Sequence, residues 1–421
     1  MLKLSAPLYC YLELTPECNN HCPGCSNVFV ADKHNRHLAE PSFMNAKLWH
    51  SIIRKLKPHV KCLRITGGEP TLHPEFEAII NCIQESDIPF VIFTNGRWHD
   101  PKRLISLLSR CSRFEGLLVS LHGANKETHE AFSGAQGSFK ETIRNIQHAS
   151  HEGINVDTNT VITKANLGQI EEIVNLSESL GANCTVFNRY IGISVSELGV
   201  EPDELRDALG RIHRIKESGA SVKLGVCIPQ CFQRNSSNGC LAGNAFWSID
   251  PWGNVRPCNH APVFCGNLFS SSVEEIVSSS ALEKWHDRIP EQCVHCSLFT
   301  NCRGGCRAQA MLLERKKDDL IGMPIHGRPE EQGSIELELE SSARPILRFD
   351  ARRENFGYVL IRGNHFVPVT ADGKALLDEC NGYLTLGEIY ERFGGEALDF
   401  IASLHSEGFI DLAQNSPLGT P

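Results

Sequence analysis

Nine of the eighteen cysteines in this 421-residue chain lie between Cys227 and Cys306, where they are mixed with Gly, Pro and Asn. The regular spacing of apolar residues fades across this stretch, so it offers little material for a hydrophobic core of its own. Disulfides would not hold it together, because the reducing cytoplasm in which we expect the chain to stay keeps thiols free. We therefore predict a loop-rich segment that bound metal stabilises.

We expect the protein to stay in the cytoplasm because its apolar runs predict neither a signal peptide nor a membrane-spanning helix. The first run, residues 8–14, is short, contains Glu13 and has no small-residue cleavage site after it, so it predicts a buried strand and not a signal peptide. No stretch approaches the roughly 18 apolar residues that a membrane-spanning helix requires. The net charge of -9 argues against nucleic acid, whose phosphates require clustered Lys and Arg. We expect a small or peptidic partner in the cytoplasm, with no nucleic acid and no membrane.

Residues 8 to about 215 alternate short apolar runs with amphipathic helical stretches, a pattern typical of β/α units with parallel strands. The pattern predicts an α/β fold, a partial (β/α)6 barrel of the TIM type, whose strand C-termini face one common site. The predicted strands are residues 9–14, 62–66, 90–94, 116–120, 155–162 and 184–190, and the predicted helices include residues 45–56, 74–85, 102–109 and 167–180.

Composition divides the chain into four segments. Residues 1–220 are predicted to form the barrel, and residues 221–315 the small cysteine-rich domain. Residues 316–343 are polar and charged and predict a linker. Residues 344–421 predict a C-terminal α+β domain, with strands at 346–349, 358–362, 365–369 and 409–412 and helices at 370–379, 385–393 and 396–406.

Cys18, Cys22 and Cys25 form a CxxxCxxC motif directly after the first predicted strand, at the end of the barrel where active sites form. Three thiolates on one loop can hold three irons of a 4Fe-4S cluster and leave the fourth iron open to a small molecule. A zinc site or three unrelated thiols is the alternative interpretation. The arrangement resembles the radical S-adenosylmethionine (SAM) superfamily, whose loop cluster binds SAM and cleaves it reductively to a 5'-deoxyadenosyl radical. The resemblance implies that these three cysteines are the catalytic cluster ligands.

A second motif supports this resemblance. Gly67, Gly68, Glu69 and Pro70 match the GGE motif of the family, where the glycines let the backbone approach the methionine amine of SAM and Glu69 would accept from it. One position departs from the family, because the residue before the third cysteine is usually aromatic and here is Gly24. The resemblance implies further SAM contacts at the ends of later strands, made by Thr94, Asn95, Ser120, Asn159 and Arg189. Each of these residues has an alternative role as a cap or loop anchor.

The cysteine-rich segment resembles the SPASM extension of radical SAM enzymes. Cys240 is followed by I-D-P-W-G-N-V-R-P-C, which ends at Cys258, and then by a C-x2-C-x5-C-x3-C run that ends in N-C-R-G-G-C at Cys306. The pattern matches six of the seven cysteines of that extension, and the seventh, downstream of Cys306, is missing. A zinc ribbon is the alternative interpretation, although nine cysteines exceed one or two tetrahedral sites.

The SPASM resemblance implies two auxiliary 4Fe-4S clusters. Cys240, Cys258 and Cys306 would hold the first, together with either Cys231 or Cys227. Cys293, Cys296 and Cys302 would hold the second, whose fourth ligand stays open between Asp318, Asp319, His326, Cys265 and an unligated iron.

The C-terminal segment, with D-G-K-A-L-L-D-E-C-N-G-Y-L-T-L-G-E-I and F-I-A-S-L-H-S-E-G-F-I, resembles the PqqD-like RiPP recognition element, a winged-helix-like fold. In that family the leader of a ribosomally made precursor peptide adds as a strand beside a small sheet. A DNA-binding winged helix is the alternative interpretation. The 11 acidic against 7 basic residues between positions 344 and 415 argue against it.

These resemblances predict a radical SAM iron-sulfur oxidoreductase that modifies a precursor peptide bound through its leader (RiPP maturation), with a flavodoxin or ferredoxin-type protein as reductant. The bond formed is left open between a thioether, a carbon-carbon or carbon-oxygen cross-link and an epimerised residue. The alternative enzyme is a radical SAM enzyme of tetrapyrrole or haem biosynthesis, which would have no need of a peptide-binding module. A non-catalytic peptide binder or electron carrier is the interpretation from another class, and the GGEP motif beside CxxxCxxC argues against it.

Overall fold

The computed structural model describes residues 3–25, 44–193, 195–234, 239–323, 340–362 and 365–413. The chain divides into two compact units. The first comprises Met1 and residues 6–326, and the second comprises residues 2–5 and 327–421. Most of the predicted linker, with the candidate ligand His326, lies outside the described residues.

Within the described residues, the first unit is built on one sheet of ten strands in the order β10-β9-β8-β1-β2-β3-β4-β5-β6-β7. Strands β1 to β7 are parallel in chain order, β8 pairs parallel with the other side of β1, and β9 and β10 continue the sheet antiparallel. The strands are β1 (Tyr9–Glu13), β2 (Cys62–Thr66), β3 (Phe90–Thr94), β4 (Phe114–Ser120), β5 (Val156–Ile162), β6 (Cys184–Arg189), β7 (Val222–Leu224), β8 (Phe246–Ile249), β9 (Asn254–Arg256) and β10 (Gly266–Asn267).

Helices between the strands bury one apolar side against this sheet. In the first helix, for example, Trp49, Ile52 and Ile53 are fully buried and share one side, because residues three and four apart lie on one face. The helices of the unit are α1 (Ala46–Leu56), α2 (Phe76–Glu85), α3 (Pro101–Leu108), α4 (Lys126–Ser133), α5 (Ser138–His151), α6 (Ile170–Ser179), α7 (Val195–Leu198), α8 (Pro202–Glu217), α9 (Val273–Val277), α10 (Ser280–His286), α11 (Phe299–Cys302) and α12 (Arg307–Leu312).

The predicted α/β fold of the partial-barrel type is confirmed by this parallel sheet. Each of the six predicted strands ends within two residues of an observed one. The sequence missed β7 to β10, which have only two to four residues each and lie mostly in the cysteine-rich segment. Such short strands are fixed by pairing with their neighbours and not by an apolar alternation of their own.

The second unit has two small antiparallel sheets over a separate core. One sheet pairs the first and last strands, and the other has the order β12-β13-β14. Leu360, Leu377, Ile389, Ile401 and Phe409 lie in the buried core. The elements are β11 (Arg344–Leu347), β12 (Asp350–Glu354), β13 (Gly357–Arg362), β14 (His365–Val369), α13 (Ala371–Asp378), α14 (Leu386–Phe393), α15 (Gly395–Ser406) and β15 (Ile410–Ala413).

Candidate active site

A cavity of about 190 Å³ lies where the C-terminal parts of strands β2 to β5 meet the loop that follows β1. Eight of the predicted site residues line it, including all three cysteines of the CxxxCxxC motif. Gly67, Glu69, Pro70 and Arg189 are not among the lining residues. We call this space the cysteine cavity; its lining is Cys18, Asn20, Cys22, Cys25, Thr66, Gly68, Phe93, Thr94, Asn95, Leu118, Ser120, His122 and Asn159.

The two asparagines between the first two cysteines anchor the cysteine loop to the turn after β3. Asn19 donates to the carbonyl of Arg97 at 2.9 Å and accepts from Asn95 at 2.6 Å. The Arg97 guanidinium donates to the Asn20 amide oxygen at 2.9 Å and forms an ion pair with Glu141 at 2.9 Å. Sequence reasoning missed Arg97, because its position two residues beyond Asn95 gives no signal of a contact with a loop some 80 residues earlier.

The third anchor of the loop is the end of helix α4. The backbone N–H of His21 donates to the carbonyl of Ser133 at 2.8 Å, and the Cys22 thiol donates to the same oxygen at 3.6 Å. The next residue, Gly134, has a φ of 63°, and a Cβ there would overlap the carbonyl of His21. The loop is therefore held on both sides before any ligand binds.

The two glycines of the GGE motif let two backbone segments come together. Gly68 and Glu69 donate their N–H groups to the carbonyls of Thr15 and Glu17, both at 2.7 Å. A Cβ on Gly67, whose φ is 144°, would lie 2.6 Å from the Thr15 oxygen, and one on Gly68 would overlap the Glu17 oxygen. The glycines thus connect the β2 loop to the segment that leads into Cys18, and their predicted approach to SAM stays a prediction.

The Glu69 carboxylate is fully buried and surrounded by donors from the protein. It accepts from the hydroxyls of Thr71 at 2.7 Å and Thr94 at 2.9 Å, and from the backbone N–H of Asn95 at 2.8 Å. Burial raises the pKa of Glu69, while these hydrogen bonds, led by that of Asn95, lower it. In the structure Glu69 therefore orients two lining residues, Thr94 and Asn95, and its direct contact with a ligand stays a prediction.

Glu69→Gln should weaken SAM binding by about ten- to a hundredfold, because the new NH2 group would face donors and leave buried groups unpaired. Thr71→Val, which removes one hydroxyl donor and leaves Thr94 and Asn95 in place, is the matched control and should have a smaller effect. Equilibrium binding of SAM to the reconstituted protein measures both. Wild-type affinity in Glu69→Gln would mean that the carboxylate serves only the local turn.

Gly24, the departure from the family pattern, lies against aromatic rings from other elements. A Cβ at this position would come within 3.1 Å of the Tyr190 ring, 3.2 Å of the Phe132 ring and 2.8 Å of the Leu198 side chain. The space that a side chain before Cys25 would occupy is already filled. Gly24 is therefore required by packing at this point of the loop.

Gly24→Phe should displace the loop around Cys25 and reduce both iron content and SAM binding, because the new ring would overlap side chains on three sides. Gly168→Ala is the control, since a Cβ there meets nothing within 4 Å. Iron determination and SAM titration report the two effects. Full iron occupancy in Gly24→Phe would show that the surrounding rings can move aside.

His122 adds a neutral ring to the cavity wall. The His122 ring is buried and its Nδ1 accepts from the backbone N–H of Val161 at 3.2 Å, while the backbone N–H of His122 donates to Nδ1 of His129 at 3.2 Å. Burial lowers the pKa of His122 to about 3 and that of His129 to about 4. Both rings are uncharged at neutral pH, so they do not repel a cationic ligand.

The structure brings Cys227 together with Cys240 and Cys306. We call these three residues and Cys258 the first cysteine set. Hydrogen bonds with Cys240 and Cys306 raise the pKa of Cys227, and the hydrogen bond from Cys227 lowers that of Cys240 to about 6. Burial raises the pKa of Cys258, and the charges of Cys306 and Cys240 raise it further. Of the two upstream cysteines that the sequence offered for this set, the structure places Cys227 in it.

The other upstream cysteine, Cys231, lies with Cys293, Cys296 and Cys302, which together we call the second cysteine set. Burial raises the pKa of Cys293 to about 11, and the charges of Cys302, Cys231 and Cys296 contribute to the shift. The sequence assigned Cys231 only as an alternative to Cys227, because spacing alone does not show which way a loop between two cysteine groups turns.

Arg189 and Asp318 form a buried ion pair beside the first cysteine set. The guanidinium donates through both Nη atoms to the carboxylate, with the Nη1–Oδ1 distance at 3.0 Å. Asp318 also accepts from the backbone N–H of Cys306 at 2.7 Å. The charges of Asp318, Cys306 and Cys227 raise the pKa of Arg189 against the effect of burial. The structure thus gives Arg189 a protein partner, and its expected contact with SAM stays a prediction.

The donor sets fit iron-sulfur clusters. Within the described ranges no three His, Cys, Asp or Glu side chains converge closely enough to hold a single metal ion. Each cysteine of a 4Fe-4S cluster binds a different iron, so its ligands surround the cluster and do not meet at one point. Three thiols at the cysteine cavity and four in each of the other sets supply the ligand type and number that such clusters take.

Comparisons with known families place two domains in the chain. Residues 12–177 match the radical SAM superfamily model, and residues 240–303 match that of the SPASM iron-sulfur cluster-binding domain. An AdoMet-dependent heme synthase of Methanosarcina barkeri is 28% identical over 335 residues, covering 73% of this chain and 93% of that protein. The subtilosin biosynthesis protein AlbA of Bacillus subtilis is 27% identical over 312 residues, covering 71% of this chain and 67% of AlbA.

Solved structures share the fold. The crystal structure of Streptococcus suis SuiB bound to S-adenosylmethionine matches with a TM-score of 0.64 at 19% identity, covering 76% of this chain and 78% of SuiB. Across the described residues, no helix combines the length and the apolar character needed to cross a membrane.

Proposed function

This chain is a radical SAM enzyme with a SPASM iron-sulfur domain, and from that premise we propose that it modifies a ribosomally synthesised precursor peptide. The observation that carries the proposal is the combination of the cysteine cavity with a second compact unit that has its own core and small antiparallel sheets. The relatives AlbA and SuiB support a peptide substrate, since AlbA is named for bacteriocin biosynthesis and SuiB has a structure with its precursor peptide SuiA.

The cysteine cavity would hold the catalytic cluster and SAM. Cys18, Cys22 and Cys25 would ligate three irons, and Gly68, Thr94, Asn95, Ser120 and Asn159 would contact SAM. When bound, the cluster supplies one electron that cleaves SAM to a 5'-deoxyadenosyl radical, which takes a hydrogen atom from an unreactive carbon of the substrate. The hydrogen bonds that Glu69 accepts from Thr94 and Asn95 hold these two lining residues in place, and they would in turn orient SAM.

The two cysteine sets of the SPASM domain would hold two auxiliary 4Fe-4S clusters. These would accept the electron that remains when a cross-link forms in the peptide and return it to a flavodoxin or ferredoxin-type reductant. Half of their ligands are buried and the other half partly buried, which supports this use because iron-sulfur potentials depend on charge, hydrogen bonding and solvent exposure. The ion pair of Arg189 with Asp318 beside Cys306 adds a fixed dipole to that environment.

The second unit would bind the leader of the precursor as an added strand. In the described part of this unit, β12 and β14 are the end strands of the three-stranded sheet, and β14 contains Pro368, a residue that sheets accept at their edges. Helix α14 exposes Tyr390 and Phe393, about half of each surface. An end strand of a small sheet, together with exposed aromatic side chains on a helix of the same unit, supports a peptide that binds through its backbone and a few apolar residues.

The second candidate is an enzyme of tetrapyrrole or haem biosynthesis. The observation that favours it is the similarity to the Methanosarcina barkeri heme synthase over 93% of that protein. Both candidates share the cysteine cavity and the SPASM domain, so the two functions differ in the role of the second unit.

A chain cut at about residue 340 separates the two candidates. It should keep its clusters and its substrate-independent SAM cleavage, because every proposed cluster ligand lies before the cut. Turnover of the full-length precursor at low concentration should fall on the order of a hundredfold, since the leader no longer raises the local concentration of the core. Mass spectrometry of the peptide and 5'-deoxyadenosine release measure the two outcomes.

The control is a leaderless core peptide at high concentration, which the cut and intact enzymes should process equally. The second unit alone should bind the leader at the micromolar level, about -8 kcal/mol. Equal processing of the full precursor by both enzymes would remove the main support for the peptide function and favour the tetrapyrrole one.

A further inference from the structure

The second auxiliary site lacks the seventh cysteine of the SPASM pattern, and the structure brings a different cysteine to it. The segment that contains Cys231 packs directly on the end of helix α11. Gln230 donates its backbone N–H to the sulfur of Cys302 at 3.3 Å. Further along, Gly239 donates to the carbonyl of Asn301 at 2.8 Å, and a Cβ on Gly239 would overlap the carbonyl oxygen of Cys302.

The position of Cys231 within this segment is fixed by its neighbours. Phe232 and Gln233 donate their N–H groups to the carbonyl of Pro229 at 2.9 and 3.1 Å, which closes a tight turn around Cys231. The Phe232 ring is fully buried and lies 4.5 Å from the Arg206 guanidinium. Cys231 therefore stands between a residue bound to the Cys302 sulfur and a residue anchored in the core.

The segment of Cys231 meets the segment of the other three cysteines of the second set at the Cys302 sulfur, which accepts the N–H of Gln230 at 3.3 Å. In agreement with this contact, the charges of Cys302, Cys231 and Cys296 add to the effect of burial, which raises the pKa of Cys293. The chain also holds the three downstream cysteines near one another, because Cys296 donates its N–H to the carbonyl of Cys293 at 3.3 Å and Phe299 donates to that of Cys296 at 3.0 Å. Two segments some 60 residues apart thus bring the four cysteines of the second set to one region of the fold.

The other candidates for the fourth ligand have other partners. The carboxylate of Asp318 is taken up by Arg189 and by the N–H groups of Cys306 and Leu320. Asp319 pairs with Arg315 at 3.4 Å. Cys265 is buried directly before β10, where its backbone N–H donates to the carbonyl of Val255 in β9 at 2.8 Å. The remaining candidate, His326, lies outside the described residues.

We propose that Cys231 is the fourth ligand of the second auxiliary cluster, with Cys293, Cys296 and Cys302, and that Cys227 is the fourth ligand of the first, with Cys240, Cys258 and Cys306. Each thiol releases its proton to solvent when it binds iron. An upstream cysteine thus replaces the missing downstream one, and both clusters are fully ligated by protein. The assignment deepens the proposed function, because it rests on the auxiliary clusters, and it does not depend on the substrate.

Pairs of substitutions in the full-length chain test which cysteines share a cluster. Iron and sulfide are counted after anaerobic reconstitution, from about twelve irons in three clusters. Cys231→Ala with Cys293→Ala should remove about four irons, because both changes affect one cluster. Cys231→Ala with Cys240→Ala should remove about eight. The assignment would be overturned if Cys231→Ala with Cys240→Ala removed only about four irons and Cys231→Ala with Cys293→Ala removed about eight.

A single substitution can leave the iron count unchanged, so its effect on each cluster is measured by electron paramagnetic resonance of the reduced protein. Cys231→Ser should alter the same auxiliary signal as Cys293→Ser, and Cys227→Ser the same signal as Cys240→Ser. Cys265→Ala, which changes a buried cysteine outside both sets, is the matched control and should alter neither. A Cys231→Ser spectrum identical to that of the control, with all irons present, would also overturn the assignment. None of these readouts uses the peptide, so a failure of peptide modification leaves the test intact.

Discussion

Replacing Cys18, Cys22 and Cys25 together with alanine should abolish SAM cleavage and remove about four of about twelve irons. The three thiols line the cysteine cavity, and no other cysteine is among its lining residues. The remaining eight irons should stay, because the first and second cysteine sets are anchored by their own turns and hydrogen bonds. Iron and sulfide counts and 5'-deoxyadenosine release with SAM and a chemical reductant measure the two effects.

The matched control is Cys82→Ala with Cys111→Ala, two half-buried cysteines that do not line the cavity. This variant should keep all its irons and its SAM cleavage. SAM cleavage that persists in the triple variant would contradict the assignment of the cavity. Loss of all the irons would instead mean that the clusters depend on one another for folding.

Glu13→Ala should lower the stability of the first unit by about 3 to 5 kcal/mol, because it would leave the Arg256 guanidinium buried without its charge partner. Both side chains are fully buried, and the Arg256 Nη2 donates to the Glu13 carboxylate. The other Nη donates to the carbonyl of Asn259 at 2.9 Å, next to Cys258, a proposed cluster ligand. The apparent midpoint of chemical unfolding under argon measures the loss.

The double variant Glu13→Leu with Arg256→Met is the control for this pair. Because it removes both charges and keeps apolar volume, it should recover most of the stability that Glu13→Ala loses. If the double variant is as unstable as Glu13→Ala, the hydrogen bonds of Arg256 to the loop after Cys258 matter more than the ion pair itself.

The sequence predicted the barrel strands well because each is a short apolar run bounded by turn residues, as in residues 62–66 and 90–94. It predicted the cysteine cavity for the same reason, since Cys18, Thr94 and Ser120 all follow or end such strands and parallel strands bring their ends together. Polar strands gave no such signal. Strand β12, whose sequence is D-A-R-R-E, forms only because it pairs with β13 along its whole length.

Contacts between distant segments were the part that the sequence could not supply. The GGE motif drew attention to Glu69, but only the structure shows that its donors are Thr71, Thr94 and Asn95. In the same way, Cys227 and Cys231 are four residues apart, and their spacing would let either one belong to the first or to the second cysteine set. The turn closed on the carbonyl of Pro229 separates the two, and it depends on the burial of Phe232 in a core built by other elements.

Strand β8 follows the start of the cysteine-rich segment and lies hydrogen-bonded along β1, the strand that leads into Cys18. Leu8 and Tyr9 both donate to the carbonyl of Ala245, a few residues after Cys240. Electron transfer between redox centres held in this way would cross a fixed distance set by a continuous sheet. Its rate should then be independent of solvent viscosity, unlike transfer between domains that must first diffuse together, and flash-photolysis measurements in glycerol solutions would reveal the difference.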